Sequence, residues 1–98
     1  MHPLDALGSP IRRQLLLELR QCPLAVGDLA SRFPVTRPAI SKHLRALEEA
    51  GLVQAQAEGT KNVYSVRMQG FAEVRDFLDS FWDTALDRLA ALAHEEEH

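Results

Sequence analysis

Seven residues in two places have the types and spacing to grip a polyanion. Thr36, Arg37, Pro38, Ser41, Lys42 and Arg45 lie close together, and Lys61 stands apart. An arginine fork can donate two bonds to the O6 and N7 edge of guanine, serine can bond a base edge or a phosphate, and lysine usually meets phosphate. On a helix turning about 100° per residue, Ile40, Leu44 and Leu47 share one face, while Pro38, Ser41, Lys42 and Arg45 point away with Arg37 beside them. That outer face has the chemistry of a major-groove reader. The alternative is an ordinary solvated face with Arg45 and Glu49 as an i, i+4 pair. His43 falls on the flank of the apolar stripe and is expected to pack rather than read a base.

Such a face needs elements to hold it. Thr36 is an expected N-cap, with Arg37 and Pro38 in the first turn and Gly51 closing the helix. Upstream, a short helix ends at Gly8. Ser9 and Pro10 then start a helix whose buried stripe is Ile11, Leu15, Leu16 and Leu19, and Pro23 stops it. Val26, Leu29, Ala30 and Phe33 mark a short further helix ended by Pro34. A short helix, a turn of about three residues and a longer helix form the outline of a helix-turn-helix.

Downstream, Val53, Ala55 and Ala57 alternate with Gln54 and Gln56, as in a half-buried strand. Glu58, Gly59, Thr60 and Lys61 make a turn, and residues 62–66 return as a second strand. That hairpin is the wing, and it places Lys61 near a phosphate or a minor groove; solubility alone would equally account for an exposed turn lysine. After Gly70, Phe71, Val74, Leu78, Phe81, Ala85, Leu89 and Leu92 recur at spacings of three and four. This stripe exceeds what one small domain can cover, so residues 71–96 are expected to pair with a second copy, Trp82 included, although Trp82 could instead line a small-molecule cavity. The expected fold is α+β and mostly helical: about five helices and a two-stranded wing in one domain, residues 1–98.

The formal net charge of −3 argues against a nucleic-acid partner until it is divided along the chain. Residues 1–47 hold seven Arg or Lys against three acids, and the remainder holds four against eleven. A folded chain with this asymmetry can present one positive face. Arg12 and Arg13 open a helix N-terminus, which also favours phosphate, but a plain surface role is preferred. No apolar run of eighteen residues and no signal-like start are present, so a soluble cytoplasmic protein is expected, with no membrane partner. The single Cys22 excludes an internal disulfide and, lacking a resolving partner, is expected to be inert.

Residues 29–53, LASRFPVTRPAISKHLRALEEAGLV, resemble the motif of the ArsR/SmtB family of winged-helix repressors. The similarity extends to residues 7–16, LGSPIRRQLL, and to residues 58–64, EGTKNVY. The resemblance implies a winged fold, a dimer built from terminal helices, and repression through double-stranded DNA with a pseudo-palindromic operator. The family's metal sensors carry a Glu-Leu-Cys-Val-Cys-Asp-Leu stretch; here residues 23–29 read PLAVGDL, so Ala25 and Gly27 fill the thiolate positions and cannot ligate. The terminal-helix zinc pattern is also missing, and the His94/His98 pair reads as incidental. The tail, with Phe81-Trp82, resembles a subgroup without metal sites. No metal or cofactor is expected, and an effector is not legible. Two other classes compete: a winged-helix protein-interaction module, motivated by the acidic second half, and an enzyme, for which no nucleophile and base are suitably spaced.

Overall fold

Prolines and short polar residues set the helix boundaries. Ser9 holds extended backbone, and its Oγ accepts the Arg12 N–H at 3.3 Å, so helix α2 (Pro10–Gln21) starts with a proline where no donor is lost. Cys22 precedes Pro23 and is extended at φ −166°, ψ 157°, which ends α2, because the proline ring crowds a helical predecessor. The remaining helices are α1 (Pro3–Ala6), α3 (Val26–Ala30), α4 (Arg37–Glu49) and α5 (Ala72–Glu96). A 3₁₀ turn, Met68–Phe71, leads straight into α5. The computed structural model describes residues 1–96.

The core is the junction of α2, α3, α4 and the hairpin. Leu15, Leu29, Ile40, Leu44, Leu47 and Leu52 are fully buried, with Leu19, Val53 and Tyr64 nearly so. The three buried residues of α4 are those of the apolar stripe in the sequence. Gly51 follows the helix at φ 78°, a left-handed conformation that closes α4 and turns the chain into the hairpin.

The sheet departs from expectation in two ways. The hairpin β2 (Val53–Glu58) and β3 (Lys61–Val66) forms, with Val53 opposite Val66 and Glu58 opposite Lys61 around a Gly59-Thr60 loop. A third strand, β1 (Leu24–Ala25), pairs antiparallel with β3, giving the order β1-β3-β2. Two residues carry no detectable period, so the strand was not legible. Along β2 only Val53 is buried; Ala55 and Ala57 are exposed, because the wing extends past the core and nothing covers its outer half. Phe33 also lies beyond the end of α3, half-buried in the connecting turn, and Phe71 sits in the 3₁₀ turn rather than in the long helix.

α5 leaves this body as an arm, and the molecule measures 68 × 26 × 23 Å. Its root is embedded: Phe71 packs against the core and Val74 is buried. His2 Nε2 meets Glu73 Oε2 at 3.0 Å, tying α1 to that root.

His43 is half-buried, as its place on the flank of the stripe implies. Burial, then the nearby cations Arg12 and Lys42, hold its pKa below the ordinary 6.5. The unfolded chain therefore binds more protons below pH 6.5, and folded-state stability is lost as pH falls through that window toward the depressed folded value. Thermal unfolding at pH 7.5 and 5.5 should show a larger drop in the wild type than in His43→Gln, and equal drops would contradict this. Leu44→Ala, at a fully buried site, is expected to cost about 2–5 kcal/mol in urea unfolding at fixed protein concentration.

Candidate nucleic-acid interface

The outer face of α4 is built by its cap and its buried stripe together. Thr36 is extended, and its Oγ1 accepts the Ala39 N–H at 3.3 Å. This fixes the first turn and points Arg37 and Pro38 outward. Arg37, Pro38, Lys42 and Arg45 are exposed, whereas Ser41 is half-buried toward the wing. Among the described residues Arg45 and Glu49 form no ion pair, so the guanidinium is not committed to that neighbour.

Helix and wing meet in an open cleft of about 440 Å³. Arg37 and Ser41 of α4 line it together with Thr60, Lys61 and Asn62 of the hairpin tip and residues 25–28. The fold thus brings Arg37, Ser41 and Lys61 to one place from distant stretches of chain. Lys42 and Arg45 continue the same helix outside the cleft. Arg45 and Glu48 stand close enough to Tyr64 to act on it: burial raises the phenol pKa, Glu48 pushes it the same way and Arg45 opposes.

Thr60 and Asn62 were not singled out by sequence, although a polar tip directly after a glycine turn is a detectable signal. Asp28 also lines the cleft, adding an acid among the cations. Ala25 and Gly27 border it too, and a Cβ on Gly27 would stand 3.7 Å from Arg37 Nη1. Among the described residues no cluster of three or more His, Cys, Asp or Glu could hold a metal ion. His98 lies outside the described residues.

Three other cations of the basic half have internal partners. Arg12 Nε donates to the Ala6 carbonyl at 2.7 Å, and Arg13 Nη1 to the Leu7 carbonyl at 2.6 Å. Both close the end of α1 onto α2, where the sequence suggests a plain surface role. Arg32 pairs with Glu18 at 2.7 Å.

A second surface runs along α5. Phe81 is 59% exposed, Trp82 65%, Leu89 62% and Leu92 57%. Leu78 and Ala85 share the exposed surface, as do Phe77 and Leu86, which the spacing pattern passed over. Phe77 and Phe81 meet edge to face with centroids 5.0 Å apart. Ser80 Oγ donates to the Phe77 carbonyl and Thr84 Oγ1 to the Ser80 carbonyl, so both hydroxyls are satisfied within the helix. No described helix is long and apolar enough to cross a membrane.

Known proteins share this arrangement. The family model for bacterial regulatory proteins of the arsR family matches residues 9–55. The HTH-type transcriptional regulator Rv2034 of Mycobacterium tuberculosis is 44% identical over 92 residues, covering 94% of this chain and 86% of that protein. A crystal structure described as a "Possible transcriptional regulator for arsenical resistance" superposes with a TM-score of 0.79 at 43% identity, over 93% of this chain and 95% of the other. A Mycobacterium bovis structure solved by NMR, described as a homodimeric winged helix-turn-helix DNA-binding domain, gives a TM-score of 0.66 at 30% identity, over 81% of this chain and 73% of that one. With sequence and overall fold both matching, this chain belongs to the arsR family of bacterial regulatory proteins and has its winged helix-turn-helix fold.

Proposed function

We propose that this protein regulates transcription as a homodimer, as a repressor on a pseudo-palindromic operator. Residues 1–98 then form one DNA-binding unit, with 71–96 as its dimerisation segment. The observation that carries the reading is the division of α4: Ile40, Leu44 and Leu47 are fully buried, while Arg37, Pro38, Lys42 and Arg45 are exposed on the other side. In this reading Arg45 and Arg37 meet base edges, Ser41 meets a base or phosphate, Lys42 meets phosphate, and Thr36 presents the start of the helix. Lys61 reaches a phosphate beside the groove from the wing tip. Ala25 and Gly27 supply no ligand, so no metal enters at that place, and no step calls for catalysis.

The dimer follows from the arm. Large apolar side chains standing open along one helix amount to a patch that monomeric proteins rarely expose. Burying each is worth about 1.5–3 kcal/mol, and the homodimeric NMR relative supports the same use of the fold. Phe71 and Val74 already pack on their own domain, so the seam proposed here begins at Phe77 and Leu78 and continues through Phe81, Trp82, Ala85, Leu86, Leu89 and Leu92.

Three measurements test these assignments. In titrations of a duplex selected by the wild type, Arg45→Ala should weaken binding by about 1–3 kcal/mol and relax preference at one base position. Lys42→Ala should weaken all sequences alike and reduce the slope of log K against log salt by about 1. Unchanged binding in both variants would remove α4 as the reader, and binding without any sequence-dependent component would favour a protein-interaction module. Phe81→Asp should raise the dimer dissociation constant by about 100-fold or more in sedimentation, because an unpaired carboxylate would be buried. An unchanged constant would exclude this seam.

A further inference from the structure

The end of α4 and the root of α5 touch through bare backbone. Gly51 closes α4, and Gly70 lies in the 3₁₀ turn that feeds α5. A Cβ at position 70 would overlap the Gly51 carbonyl oxygen, stand 2.6 Å from the Gly51 carbonyl carbon and lie 3.3 Å from the Leu52 Cα. Gly70 is not in the left-handed region, so the close approach, rather than its conformation, demands glycine there.

Neither side of this contact can yield freely. Leu52 is fully buried; its N–H donates to the Leu47 carbonyl at 3.0 Å, and its carbonyl accepts the Arg67 N–H at 2.9 Å. On the other side Phe71 and Val74 are seated in the core, so the turn cannot back away without withdrawing them. The remaining ties are softer. His2 and Glu73 are both solvent-exposed, and such pairs hold geometry weakly. Arg67 Nη1 reaches the Gly51 carbonyl at 3.4 Å, a long hydrogen bond.

We infer that the Gly51·Gly70 contact is the joint that sets the angle between the reading helix and the dimerisation helix, and that Gly70 is thereby a positioning residue for operator half-site spacing. The inference rests on the regulator reading above. At 1.5 Å per residue α5 is about 37 Å long, so a tilt of about 5° at its root moves its far end by about 3 Å, close to one base-pair step.

The test compares wild type, Gly70→Ala and Phe71→Ala on one probe set: a duplex selected from random sequence by the wild type, a single half-site duplex, and operators with one or two base pairs added or removed between half-sites. Gly70→Ala should remain dimeric in sedimentation and bind the half-site duplex within about twofold of wild type. It should lose tenfold or more on the parent operator and regain affinity on a respaced one. A folded Gly70→Ala with the wild-type spacing optimum overturns the inference, as does equal loss on half-site and full operator. Should Gly70→Ala not fold, Phe71→Ala decides: it withdraws the side chain that seats the turn against Gly51, introduces no clash and should broaden the tolerated spacings, and an unchanged spacing profile overturns the inference. Should the wild type select no duplex, the regulator reading fails, and the joint is judged without DNA. Spin labels at Glu49→Cys in a Cys22→Ser background then report the distance between reading helices in the dimer. Gly70→Ala should shift or broaden that distance, and an identical distribution, or a monomer, overturns the inference.

Discussion

The burial of Ile40, Leu44 and Leu47 against α2, α3 and Leu52 is the constraint on which everything else rests. These side chains admit no solvent, and close packing lets them shift only at the cost of a cavity or a clash. One side of α4 is therefore fixed, and the direction of its other side follows without further contacts. The cap at Thr36 sets where the helix begins, and Gly51 sets where it stops and the wing starts. A cleft with Arg37 and Ser41 on one wall and Lys61 on the other results from that seating and from a two-residue hairpin loop.

The site was legible in the sequence where periodicity and punctuation agreed. Ser9-Pro10 and Thr36-Arg37-Pro38 are strong start signals, since the hydroxyl satisfies an amide that the helix leaves open and the proline occupies a position where no amide is needed. His43 could be assigned to the flank because a helical wheel has few degrees of freedom. β1 could not be found: Leu24 and Ala25 have no period, and their partners Tyr64 and Val63 lie about forty residues away. The wet outer half of β2 was missed for a different reason: alternation in the residues cannot say whether a second layer exists to cover the inward face.

Sequence spacing treated the stripe from Phe71 to Leu92 as one surface, and the fold divides it. Phe71 and Val74 belong to the domain that precedes them, and the exposed portion begins at Phe77. An amphipathic period is blind to this division, since the same apolar repeat suits a seat within one chain as well as a seam between two. Gly70 marks the transition, and a lone glycine in sequence reads only as a break. Its reason becomes visible when the carbonyl of Gly51 is found where a side chain would be.

Arg12, Arg13 and Arg32 are half-buried or exposed cations whose donors point back into their own molecule. This carries a consequence for how a regulator of this kind would share a chromosome with millions of competing sites. A protein with fewer outward donors than its basic half suggests releases few counterions on arbitrary DNA, and its acidic α5 adds repulsion. Its hold on wrong addresses would be correspondingly weaker than the charge count alone implies. Occupancy would then be governed by the quality of individual base contacts, and a single altered base pair in a promoter could retune a gene without any change in the protein.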